Sequence, residues 1–333
     1  MNRRSPSWLT AKISLCLTDM IGGTQNSFLL SLPWQLADGL KDLDSERAAR
    51  HRNLILSFQR PDGGFAGRQG GSDLYYTSFA VRGLASLNAL DDRRCLLVAA
   101  YLKTAAAKQR YSLIDLLSWF YSLITIRLMG TEITIAAAEL VAELSDALET
   151  FRRPDGGYAR TDEGGLSSTY HTFLAILCYE MLGKTPPDPD LIVRFLLSRR
   201  RDDGGFVEIG PMRRSGTNPT AAAAVLLHRL QAMESGVLRG IAGYLERVKG
   251  DEGGFRANMQ IPICDLLSTF TGLLTARYLG LAERIDSEGC RRYLSSLELS
   301  DGGFRGAAWD GETDTEYTFY GLGAFALLKL HNF

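Results

Sequence analysis

Near the end of the 333-residue chain, Asp314-Thr315-Glu316-Tyr317-Thr318 sets two carboxyls two residues apart, with a phenol beside them. A carboxyl can act as an acid only if it holds its proton at the working pH. Burial does this by disfavouring the charged form. Residues i and i+2 stand ~200° apart around a helix, so the two acids cannot face the same side. The expectation is that Glu316 is the acting acid, Asp314 the helix cap that orients it, and Tyr317 a hydroxyl next to them. Asp73 and Asp265 occupy the place of Asp314 in earlier parts of the chain, as do Asp115, Ser168 and Gly216. Asp, Ser and Gly are favoured helix N-caps, so capping is the plainer role for that whole set.

These residues are positioned by a repeat. Asp62-Gly63-Gly64-Phe65 recurs at Asp155–Tyr158, Asp203–Phe206, Glu252–Phe255 and Asp301–Phe304. Each copy leads into an apolar helix marked by a threonine: Thr77, Thr172, Thr220, Thr269 and Thr318. Tyr111–Gly130 supplies one further unit without the glycine turn, with Asp115 and Trp119 in the places of Asp73 and Thr77. Six units result, and a fixed period of this kind means a repeat architecture. The acid can take backbone N–H groups of the turn, the glycines can adopt positive φ, and the aromatic is expected to pack between units.

Amphipathic outer helices are expected over Glu46–Phe58, Arg93–Ala107, Ile135–Thr150, Asp190–Arg200, Gly236–Val248 and Ser287–Leu297. Inner helices are expected to start near Asp73, Asp115, Ser168, Gly216, Asp265 and Asp314. The last inner helix stays apolar almost to the C-terminus, where an open solenoid would want a polar cap. Closure follows: an all-α (α/α)6 barrel over residues 45–333. Residues 1–44 form an N-terminal extension that packs on it, with helices Trp8–Met20 and Gln25–Leu40.

The inner-helix starts meet at one mouth of such a barrel. Below them Tyr75, Tyr76, Phe79, Tyr170, His171, Phe173, Phe270 and Tyr320 make an aromatic funnel with few charges. Such stripes are often solid core, but a ring of helices can leave its axis open to a ligand. Arg213 and Arg214, just before the fourth inner helix, are candidate ligand contacts.

Composition excludes other classes. A formal net charge of −1 gives no footprint for nucleic acid. Five scattered cysteines without a C-x-x-C suit a reduced, cytoplasmic setting. Lys12 interrupts the apolar part of the N-terminus, so no signal peptide is read. No apolar run reaches the length of a membrane-spanning helix.

The glycine–aromatic turns, paired with inner helices at this period, resemble the prenyltransferase/squalene-cyclase repeat family over about residues 45–331. The nearer resemblance is to protein farnesyl- and geranylgeranyltransferase β subunits, the more distant to class II terpene cyclases. It implies an aromatic cavity for an isoprenoid or other apolar small molecule. It also implies an α-like helical-repeat partner, with a homodimer or peripheral membrane contact as other arrangements. In the transferases a zinc is held by Asp-x-Cys at the fifth inner helix and His at the sixth. Here the matching residues are Asp265, Leu267 and Tyr317, so zinc is not expected. Magnesium is expected only alongside a diphosphate substrate. The family's diphosphate ligands are replaced by Ser168, Leu117 and Asn258-Met259-Gln260, leaving Arg213, Arg214, Arg256 and Arg305 as substitutes. The cyclase acid motif Asp-x-Asp-Asp-Thr resembles Asp314-Thr315-Glu316-Tyr317-Thr318. The leading expectation is an isoprenoid-binding barrel that has lost the transferase zinc site and acts on a prenyl diphosphate or terpenoid. The alternatives are a class II-type cyclase using Asp314 and Glu316, or a non-catalytic lipid-binding or partner subunit. A glycosidase with Asp73, Asp265 and Asp314 at the mouth fits less well, since sugar sites need a more polar wall.

Overall fold

A computed structural model describes residues 27–105, 111–131 and 137–330. The expected helix Trp8–Met20 lies outside the described residues. Helix α1 (Phe28–Gly39) precedes six helix pairs. The outer helices are α2 (Ser45–Ser57), α4 (Asp92–Ala105), α6 (Ala137–Thr150), α8 (Pro189–Ser198), α10 (Ser235–Val248) and α12 (Ser287–Leu297). The inner helices are α3 (Leu74–Ser86), α5 (Leu113–Leu128), α7 (Thr169–Met181), α9 (Thr217–Arg229), α11 (Leu266–Tyr278) and α13 (Thr315–Leu327). Outer helices bury one face only. On α10 that face is Val237, Ile241, Tyr244, Leu245 and Val248, the spacing of a single apolar stripe. Inner helices are packed nearly all round; α13 buries eleven of its residues. Each inner helix packs on the next, and α13 packs back on α3, so the ring is closed. The fold is an all-α (α/α)6 toroid.

The recurring threonine has a physical reason. The buried Thr77, Thr172 and Thr220 hydroxyls each accept the N–H of the turn aromatic, Phe65, Tyr158 and Phe206, at 2.9 Å. Thr269 takes the N–H of Phe255 at 3.0 Å. Single-residue bridges on either side of the aromatic, such as Arg200 with Phe206 and Phe206 with Gly216, pin each turn to the start of its inner helix. In the fifth unit they widen into two-residue strands, β1 (Phe255–Arg256) and β2 (Cys264–Asp265). The first glycine of each turn lies against the next outer helix. A Cβ on Gly204, which has φ +80°, would stand 2.4 Å from the carbonyl oxygen of Gly240 on α10.

The second unit, which lacks the turn, differs from expectation. Its inner helix is capped by Ser112, and Asp115 is the third residue of a reciprocal capping box rather than the cap. Without a turn to fix the start, local capping sets it nearly one turn earlier.

Two clusters join the last unit to the first. At one, Arg47 donates Nε and Nη2 to Glu298 at 2.7 and 2.5 Å. His51 stacks on Phe304 at 5.0 Å, accepts the Gly303 N–H on Nδ1 at 2.9 Å, and sets Nε2 3.2 Å from Glu298. At the other, Arg68 bonds Asp310 at 2.7 Å and Asp314 at 3.1 Å. Helix α1 lies across α13, α3 and α7. It is tied there by the Tyr121 hydroxyl, which donates to the Leu29 carbonyl at 2.9 Å, and by Glu180, which accepts the Phe28 N–H at 2.9 Å.

Candidate functional site

Inside the inner ring is a cavity of about 500 Å³, within the usual range for small-molecule sites. Phe28, Leu29 and Leu32 of α1 close one end of it, and Met212 and Arg214, both exposed, stand at the other. Of the expected funnel, Tyr75, Phe79, Tyr170, Phe173, Phe270 and Tyr320 are on the wall. Phe79 lies between Tyr75 and Tyr320, with ring centroids 4.9 and 5.2 Å away, and Tyr320 lies 5.2 Å from Phe270. The axis is therefore an aromatic-walled space rather than solid core.

Glu316 is the carboxyl that reaches this space from the last inner helix. It is the second residue of α13, and the Tyr75 hydroxyl from α3 donates to its Oε1 at 2.6 Å. Burial pushes its pKa up, and that outweighs the lowering by Tyr75, Tyr320 and Arg82. Burial thus disfavours its charged form, and the Tyr75 hydroxyl opposes this by donating to it. Burial raises Tyr75, Tyr170 and Tyr320 as well, with Tyr170 pushed up to about 12, so these phenols are hydrogen-bond donors and not bases at neutral pH.

Asp314 faces elsewhere, as the ~200° separation requires. It is 2 % exposed, caps α13 by accepting the Tyr317 N–H at 2.9 Å, and pairs with Arg68. Burial raises its pKa, with Arg68 opposing. Tyr317 packs its ring under the Arg68 guanidinium, 5.5 Å away, and beside Gly306. Neither Asp314 nor Tyr317 is on the cavity wall. Asp73 and Asp265 are caps too, accepting from Tyr75 at 2.8 Å and Ser268 at 2.7 Å. Three of the carboxyls at the mouth are therefore held in place by backbone N–H groups.

Tyr76 and His171 lie off the wall, each one residue past a tyrosine that lines it, and hence ~100° further round its helix. Tyr76 covers Gly67. His171 sets Nδ1 2.6 Å from the Ser168 hydroxyl, and burial pushes its pKa down to about 4. Arg214 lines the mouth; Arg213, equally exposed, does not. Arg256 and Arg305 donate to the backbone carbonyls of Arg247 and Ala308. Two charged wall residues had no place in the sequence expectations: Arg82 on α3, and Glu208, which accepts the Tyr170 N–H at 3.3 Å. Arg82 was findable, since Tyr75, Phe79 and Arg82 follow one helix face at i, i+4 and i+7.

The zinc that the family resemblance implies does not fit. Asp265 is engaged with both the N–H and the hydroxyl of Ser268. Leu267 offers no donor atom, and Tyr317 is packed on Arg68. Among the described residues no three His, Cys, Asp or Glu side chains gather into a metal-holding group. Nor is any described helix long and apolar enough to cross a membrane.

Comparison with known proteins agrees with this geometry. The model of the prenyltransferase alpha-alpha toroid domain matches residues 27–209 and 98–332. Candida albicans protein geranylgeranyltransferase-I complexed with GGPP is similar in structure, with a TM-score of 0.67 at 15 % identity, covering 84 % of this chain and 90 % of that one. A type II terpene cyclase from Scytonema, in complex with geranylgeranyl dihydroxybenzoate, has a TM-score of 0.57 at 13 % identity, covering 90 % and 98 %. An alpha-1,6-mannanase from Salegentibacter sp. HEL1_6 reaches 0.58 at 12 % identity, covering 85 % and 98 %. At such identities the likeness is one of fold. No curated protein matches the sequence.

Proposed function

The chain belongs to the prenyltransferase alpha-alpha toroid family, and from that premise we propose that its central cavity takes up an isoprenoid and that Glu316 protonates it. The observation that carries this reading is a half-buried carboxyl, held by Tyr75, in the wall of an aromatic cavity. Two structural neighbours are described with geranylgeranyl ligands, and an aromatic wall offers ring faces to a developing carbocation. Burying a fifteen-carbon chain would contribute on the order of 10 kcal/mol at ~0.8 kcal/mol per CH₂, much of it offset by the costs of association. Glu316 stands where the cyclase-like motif has its middle acid. Proton transfer from it to an alkene would leave a carboxylate bonded to Tyr75 and a cation facing Phe79, Phe270 and Tyr320. This is acid-initiated terpenoid chemistry, without a metal-bound thiolate. The mannanase-like reading is disfavoured because Asp73, Asp265 and Asp314 are occupied as caps.

The test is turnover of a panel of prenyl diphosphates, prenyl alcohols and squalene by wild type and Glu316→Gln. The expectation is product from wild type and at least a hundredfold loss in the variant, in line with the usual weight of a positioned acid. Unchanged turnover in Glu316→Gln removes Glu316 from the chemistry. Tight retention of an isoprenoid without turnover by either protein would leave a carrier or partner subunit.

A further inference from the structure

A cavity for hydrocarbon alone does not explain Arg82. It lies in the cavity wall with its guanidinium over Phe79 at 3.9 Å, Phe319 at 5.0 Å and Tyr121 at 5.2 Å. Nε donates to the Ser78 carbonyl at 3.1 Å. Among the described residues no acceptor is bonded to its two terminal nitrogens, and no carboxylate forms an ion pair with it. Arg82 is half-buried, and ring faces offset only part of the cost of drawing its guanidinium from water. Glu316 on the same wall is near enough to feel this charge but forms no ion pair with it, so the terminal nitrogens are open to an anion in the cavity.

Its depth matters. The Nε bond to the Ser78 carbonyl and the stacking on Phe79 draw the guanidinium back to the turn of those residues, ~8 Å below the cap Asp73 at ~1.5 Å per residue. Glu316 is ~3 Å past its own cap, so acid and cation lie about one turn apart along the axis, close enough for Arg82 to lower the Glu316 pKa.

Building on the reading that the cavity holds an isoprenoid, we propose that the ligand is an isoprenoid carboxylic acid. Its carboxylate pairs with the terminal nitrogens of Arg82, and its hydrocarbon lies along the apolar wall of Phe173, Phe270 and Leu274. The planar guanidinium fork matches the two oxygens of a carboxylate. One arginine also matches one negative charge. A diphosphate carries more, and its excess would face an apolar wall unpaired.

Isothermal titration of the full chain with farnesoic acid, farnesol and farnesyl diphosphate tests this. The expected result is that the acid binds roughly tenfold to a hundredfold tighter than the alcohol, the range for hydrogen bonds to a charged group. Arg82→Met should bring the acid down to the alcohol's affinity while farnesol binding persists, which also shows that the variant is folded. Arg82→Lys, which keeps the charge and loses the fork, should fall between and serves if the methionine variant does not fold. Farnesol or farnesyl diphosphate binding wild type as tightly as the acid overturns the proposal, as does an acid affinity that Arg82→Met leaves unchanged. Failure of all three ligands to bind wild type sinks the isoprenoid reading itself, and this proposal with it.

Discussion

At the scale of single residues, Glu316 and Glu298 are opposite cases. Glu316 is held above its ordinary pKa by burial, so it costs stability wherever the pH exceeds its folded value. That cost shrinks as pH falls through the folded pKa and is gone below the unfolded one. Glu316→Gln should therefore melt higher than wild type at pH 8 and lose the difference in acid, as calorimetry across pH would show. Glu298 is pulled down to about 2, the side-chain bonds from His51 and Arg47 outweighing its burial. Its contribution is complete above its ordinary value of 4.5 and is lost as pH falls toward about 2. Glu298→Gln should be less stable at pH 7, with a flatter fall in urea-unfolding stability through that window. An equal slope in both proteins would contradict the pairing. The different placements of Asp314 and Glu316, cap and cavity wall, are legible in sequence because ~200° around a helix is geometry. Arg82 continues the face of Tyr75 and Phe79 at i+7, but a lone arginine on an apolar helix reads first as its watery side.

At the scale of elements, the turn and its threonine act as one device. Thr220→Val keeps the shape but strands the Phe206 N–H in a buried place, where Thr220 now accepts it at 2.9 Å. The expected loss is ~1–3 kcal/mol, measurable by urea denaturation; a variant within experimental error of wild type would mean the bond is worth little. The period and the threonine register were readable because each unit solves the same packing problem. Outer helices fell within a few residues of expectation, since their single apolar stripe marks both ends. The second inner helix was misplaced because its start depends on Ser112 and Asp115 rather than on a turn. The bridges beside each aromatic are invisible in sequence because one or two extended residues leave no alternation to read.

At the scale of the molecule, the zinc question is a matter of stoichiometry. With Leu267 and Tyr317 where a donor set would need Cys and His, elemental analysis of the purified protein should give well under one zinc per chain. One zinc per chain lost on Asp265→Ala would contradict this. Closure of the ring was expected from the apolar last helix, but the means of closure could not be seen. Arg47, His51 and Arg68 look like ordinary polar residues of the first unit until their partners, 242 to 252 residues away, are brought round to them. That separation has a kinetic consequence. Five junctions join neighbours in sequence, while the sixth needs the two ends of the folding unit to meet, so it is the slowest in loop-closure entropy. Until it forms, the arc exposes His51 and Phe304, surfaces that fit each other on a second chain equally well. Refolding at rising protein concentration should therefore yield reciprocal swapped dimers, in which each chain's first unit docks on the other's last. Size-exclusion chromatography would show a dimer fraction that grows with concentration, and Arg47→Ala should enlarge it by weakening closure within one chain; a strictly monomeric product at every concentration would mean that the ring closes before a second chain can intervene.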